Sequence, residues 1–306
     1  MKAILGYIRL YFLHSNKLVL IASSIFIAMA IYLNYHNRLE INLINHAGTP
    51  FPGISARYVI YLIAFLLPHT LLWLVRRNHS KPPLAFILCL LIAPLLFAIK
   101  VGIDTYFRLS PDHDWNNYWN DIIYWPLRLI LLVIMLGVIW FSTHRPEPFY
   151  GLSTKQFNYR PYLWMLLIMI PLITVASTQP DFLHVYPKMK QVLPLPATAD
   201  PGFLYKLLFE LSYGSDFFSI EIFFRGFLIL GFIRWAGKDA ILPMACFYCT
   251  IHFGKPLGEC ISSYFGGMLL GIVSYHTRSI WGGLMVHLGI AWMMELGGYI
   301  GNELKW

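Results

Sequence analysis

Apolar runs near the length of a bilayer crossing recur from one end of this chain to the other, and they leave little choice of fold. About 20 apolar residues cross the hydrocarbon core as a helix. Backbone polar groups in lipid must be satisfied internally, which a helix achieves and an open strand does not. Nine such runs occupy approximately residues 18–35, 58–75, 83–99, 122–141, 162–177, 217–235, 240–252, 257–275 and 280–300. The expected fold is an all-α, polytopic transmembrane helical bundle of about eight to nine membrane segments, re-entrant ones included. The chain is 58% hydrophobic and 12% charged, whereas soluble domains have about 45–50% apolar and about 25% charged residues, so an ordinary soluble domain is excluded.

The formal charge is +8, but the bases flank apolar segments (Arg76, Lys81, Arg145, Arg160) rather than forming a patch. That is a positive-inside pattern and points to the lipid bilayer, not nucleic acid, as the partner. Tyr and Trp crowd the segment ends, among them Trp115, Trp119, Tyr124 and Trp125, as in interfacial aromatic belts. The first run begins late and is longer than a secretory core, so it reads as an uncleaved span. Cys246-x-x-Cys249 lacks a second pair and reads as small buried helix residues, and no disulfide framework is indicated.

A polar interruption between Phe141 and Tyr162 divides the chain into 1–149, N-terminal transmembrane helices with no assigned role, and 150–306. Residues 203–235 would form a helix about 50 Å long, more than a bilayer needs. A break is therefore expected at Ser212-Tyr213-Gly214-Ser215-Asp216, with a short interfacial helix before it and a new helix from Asp216. Residues 179–201, rich in proline, read as an exposed loop over the membrane surface. Asp104, Asp112, His113, Asp114 and Asp121 match no metal spacing and read as a solvated connection.

Ionisable side chains within membrane segments are costly and usually mark function. Glu221 and Arg225 stand four apart, one helical turn, and can pair. His252 and His287 follow in later runs. Each alone has a structural reading: a self-neutralising pair, an interfacial residue, a helix–helix hydrogen bond. Together, a carboxylate and two histidines are a workable hydrolytic set, since one group takes a proton from water while others stabilise an oxyanion. If so, the four converge on one cavity, with the seventh and ninth spans packed beside the sixth, and Gly266, Gly267 and Gly271 allow close approach of the eighth.

Glu221-x-x-x-Arg225-Gly226, Tyr248-x-x-x-His252, and Phe265-Gly266-Gly267-Met268-Leu269-Leu270-Gly271 leading through Ser279-Ile280-Trp281 to His287, together with Gly151-Leu152-Ser153, resemble the CPBP family, the CAAX protease and bacteriocin-processing group also called Abi. The resemblance implies a glutamate-dependent intramembrane endopeptidase in residues 150–306, without a cofactor. In that family the motifs read Glu-Glu-x-x-x-Arg, Phe-x-x-x-His and His-x-x-x-Asn or Asp. The first Glu and second-motif His activate water, and the third-motif His and Asn support the oxyanion.

Two positions depart from that pattern: Ile220 stands where the first Glu belongs, and Ala291 where the Asn belongs. Adjacent helix residues diverge by about 100°, so Glu221 normally faces Arg225 rather than the water; held ionised by Arg225 against the effect of burial, it is nonetheless the acid expected to act with His252 on water, with His287 steadying the oxyanion. Asp216 and Glu295, one turn from Ile220 and Ala291, are candidate substitute acids, with N-cap and interfacial roles as their alternatives. The expected activity is hydrolysis of a peptide bond in a membrane-associated protein or peptide, of CAAX or bacteriocin-like type, in the bacterial inner membrane. The other readings are a catalytically silent relative that binds membrane peptides or regulates a partner, a zinc hydrolase ligated by Glu221, His252 and His287, and a transporter.

Overall fold

The computed structural model describes residues 2–45, 50–76, 81–145, 147–154, 157–192 and 202–304. Among them the regular structure is entirely helical: α1 (Lys2–His14), α2 (Lys17–Asn37), α3 (Pro50–Val75), α4 (Leu84–Gly102), α5 (His113–Ile139), α6 (Arg160–Ala176), α7 (Pro180–Val185), α8 (Met189–Val192), α9 (Phe203–Glu221), α10 (Ile233–Ala236), α11 (Ile241–Thr250), α12 (Leu257–Thr277) and α13 (Trp281–Leu304). A π-helix, Ile222–Gly231, continues α9.

Six helices among the described residues are long and apolar enough to cross a membrane: α2, α3, α4, α5 with its π-helical extension Trp140–His144, α12 and α13. The other three expected spans differ in form. The sixth run is split between α9 and the π-helix, and α11 has only 10 residues. α6 has 17 residues and turns Leu163, Leu167, Ile170 and Val175 outward, an apolar face suited to lipid. The chain is a multi-pass membrane protein.

The break expected at residues 212–216 does not occur, and α9 runs unbroken from Phe203 to Glu221. Its polar side chains find partners that leave the helical ladder intact. The Ser212 hydroxyl donates to the Ile122 carbonyl of α5, Ser215 to the Ser212 carbonyl at 2.6 Å, and Ser219 to the Asp216 carbonyl at 2.7 Å. Asp216 caps nothing; it pairs with the buried Lys100 of α4.

One apolar core joins the two halves of the chain. Phe65 of α3 and Phe97 of α4 meet Phe247 of α11, with centroids 5.8 and 6.0 Å apart, and Phe97 meets Phe223 of the π-helix at 4.9 Å. Such aromatic pairs contribute about 0.5–1.5 kcal/mol each beyond burial. The polar interruption after α5 is also packed: His144 Nε2 donates to the Gly231 carbonyl at 3.0 Å and accepts at Nδ1 from the Tyr150 hydroxyl at 3.2 Å. The expected exposed loop is instead fastened down over its described part, with Phe182 and Tyr186 buried and Asn302 donating to the Tyr186 carbonyl at 2.9 Å. Residues 193–201 lie outside the described residues. In the connection before α5, Asp112 caps that helix through the Trp115 N–H at 2.9 Å and Asp104 pairs with Arg128 at 3.0 Å.

Candidate active site

Glu221 ends the α-helical part of α9, and the π-helix begins at the next residue. π-Turns within α-helices are frequent at functional sites. Arg225 still returns to Glu221, with Nη1 3.0 Å from Oε1, and both side chains are fully buried. The contact is a charge contact rather than an aligned hydrogen bond, for the Arg225 nitrogens have no well-directed acceptor among the described residues. The guanidinium instead lies over the Tyr248 ring, 4.3 Å from its centroid, a cation–π contact of about 2 kcal/mol when desolvated.

α13 brings His287 to the same carboxylate. Its Nδ1–H donates to Glu221 Oε1 at 3.1 Å, which leaves Nε2 to face the Tyr248 hydroxyl at 3.2 Å. The other carboxylate oxygen is packed against Gly283, one turn before His287 on α13: a Cβ there would stand 2.3 Å from Oε2. Any side chain at 283 would displace the carboxylate, so this glycine is part of the site. Phe217 packs edge-on against His287, the ring centroids 4.8 Å apart.

His252 lies just beyond the end of α11, in the turn leading to α12. Its Nδ1–H donates to the Tyr248 carbonyl at 3.0 Å and its ring lies 4.7 Å from the tyrosine ring. Tyr248 therefore joins the set: its hydroxyl meets His287, its ring carries Arg225, and its carbonyl fixes the His252 tautomer with Nδ1 protonated. Gly267 of α12 makes room for it, since a Cβ there would stand 2.8 Å from the Tyr248 ring. Gly271 likewise admits Met244, whereas Gly266 faces open space.

The turn after His252 is held by the N-terminal half. Asn34 of α2, itself buried, donates to the Phe253 carbonyl at 2.9 Å, and the Tyr35 hydroxyl donates to the Lys255 carbonyl at 2.5 Å. The start of α13 is held by the segment that opens the second half. The Ile280 N–H donates to the Gly151 carbonyl at 3.1 Å and the Trp281 indole to the Leu152 carbonyl at 2.8 Å. Two stretches singled out in the sequence, Gly151-Leu152-Ser153 and Ser279-Ile280-Trp281, thus meet directly.

Glu221, Arg225, His252 and His287 are brought together around Tyr248. The two substitute acids are engaged elsewhere: Asp216 with Lys100 and with the Ser219 hydroxyl at 3.0 Å, and Glu295 with the N–H groups of Lys188 and Met189 at 3.0 and 3.2 Å, which fastens α8 onto α13. Ile220 and Ala291 are buried apolar residues. Glu221 and His287 are bonded to each other, and among the described residues no three His, Cys, Asp or Glu side chains group closely enough to hold a metal ion. Sequence reasoning missed Tyr248 as a partner and Gly283 as a wall. The tyrosine was visible as a replacement of the motif phenylalanine, while the glycine sits in an ordinary Gly-Gly pair.

Comparison with curated proteins and with solved structures gives no match. Residues 203–293, the stretch from α9 to α13 that holds Glu221, Arg225, Tyr248, His252 and His287, match the family model of the Rce1-like type II CAAX prenyl endopeptidases, and over that stretch the resemblance to the CPBP family stands.

Proposed function

We propose that the chain is an intramembrane endopeptidase that hydrolyses a peptide bond of a membrane-associated protein or peptide, with residues 150–306 as the protease unit and residues 1–149 as the scaffold of the His252 turn. The reading is carried by one observation: Arg225, Glu221, His287 and Tyr248 form a continuous polar line whose tyrosine also holds His252. His252, with Nδ1–H given to a carbonyl, keeps a lone pair on Nε2 and acts as the base that takes a proton from water. Glu221 acts through His287, holding the ring by Nδ1 so that Nε2 is aimed at the Tyr248 hydroxyl. An oxyanion arriving between Tyr248 and a protonated His287 would receive two donors, and the tyrosine hydroxyl supplies the one that Ala291 lacks.

A C-a-a-X peptide is the first substrate class, from the family matched by residues 203–293, and a bacteriocin-like peptide the second. Location in the bacterial inner membrane rests on the family resemblance alone. His252→Ala should stop cleavage of a membrane peptide without stopping its binding; cleavage that survives this change removes the reading. A second reading, a silent relative that binds such peptides, is favoured by Ile220 at the position of the motif base and by the complete burial of Glu221.

A further inference from the structure

The turn that carries His252 is flanked by two thiols. Cys249, near the end of α11, and Cys260, in the first turn of α12, are both fully buried and both free. Each thiol is directed at the other residue's backbone: Cys249 Sγ lies 3.5 Å from the Cys260 carbonyl oxygen and Cys260 Sγ 3.9 Å from that of Cys249. The Cys249 carbonyl accepts the His252 backbone N–H at 3.0 Å, so the pair adjoins the backbone of the proposed base. Neither of the other two cysteines is so placed. Cys246 precedes Cys249 by one turn of the same helix, and Cys89 belongs to α4.

We propose that Cys249 and Cys260 are a redox modification site, forming a reversible disulfide that fastens α11 to α12 across the His252 turn. Both S–H bonds break and one S–S bond forms. The two protons and two electrons pass to a two-electron acceptor of the azo or quinone class, reduced to the hydrazine or quinol. With an azo oxidant, one thiolate adds to the N=N bond and the second displaces the hydrazine from sulfur. The reciprocal contacts put the two cysteines side by side on neighbouring helices, the arrangement from which a disulfide can close. The reciprocal thiol–carbonyl contacts of the two cysteines, and not the proteolytic reading, carry this inference, so the two can fail separately.

The test is a thiol count on the full-length protein in detergent, treated with the azo oxidant diamide, denatured and alkylated with a maleimide. The wild type has four free cysteines and should lose two, with a peptide linking Cys249 to Cys260 found by mass spectrometry and released by dithiothreitol. Cys246→Ser should still lose two thiols, whereas Cys249→Ser and Cys260→Ser should lose none. A wild type that keeps all its thiols after oxidation, or a linkage between Cys246 and Cys249, would overturn the proposal.

Discussion

His287 donates its Nδ1–H to Glu221 Oε1 at 3.1 Å while Arg225 approaches the same oxygen at 3.0 Å, so one buried carboxylate oxygen serves a cation and an imidazole together. Taking one partner from a buried ion pair leaves an uncompensated charge and costs about 3–5 kcal/mol, whereas removing both is far cheaper. Glu221→Gln and Arg225→Met should each lower stability by about that amount. The double variant should lose much less than the sum of the two, a coupling read from a double-mutant cycle of denaturant titrations in detergent. Additive losses would show that the pair is not energetically coupled.

The Tyr248 hydroxyl is the group that distinguishes this site from one with phenylalanine at the same position. Tyr248→Phe should leave the fold intact, at about 1 kcal/mol for the lost hydrogen bond, and lower the cleavage rate about 10²–10³-fold if the hydroxyl is an oxyanion donor. Ala291→Asn in that background should recover part of the rate. Unchanged kinetics in Tyr248→Phe would remove the hydroxyl from the mechanism.

Much of this arrangement was legible in the sequence. The apolar runs gave the helical membrane fold, and the scarcity of ionisable residues in them isolated Glu221, Arg225, His252 and His287. The unbroken α9 was not legible, because serines that often end helices are satisfied here by hydroxyl bonds to carbonyls of the same helix and of α5. Nor was the part played by α2: Asn34 and Tyr35 reach carbonyls of residues 253 and 255, and main-chain acceptors leave no trace in side-chain spacing. The partners of Asp216 and Glu295 were hidden likewise, one being a lysine over a hundred positions earlier and the other two backbone N–H groups.

Lys188, in the segment that straps α8 to α13, is held down to about 8, first by the charge of Lys255 and then by burial, with Glu259, Glu295 and Asp216 acting the other way. Its ordinary value is 10.5, so between about 8 and 10.5 the unfolded chain binds a proton that the folded chain releases. This group's contribution to stability therefore rises with pH across that window and is lost as pH falls through it. Lys188→Gln should raise the melting temperature at pH 7 relative to wild type, and the difference should close as pH approaches 10. A difference that does not change with pH would contradict this.

Hydrolysis of peptide bonds at this site despite Ile220 is read by mass spectrometry of a prenylated C-a-a-X peptide and a non-prenylated membrane peptide after incubation with purified wild type and Ile220→Glu. Fragments from at least one peptide are expected with the wild type, and faster release with Ile220→Glu, which adds a water-activating carboxylate to the set. If neither protein cleaves either peptide while both bind one of them, the proteolytic account is contradicted and the silent, peptide-binding reading stands.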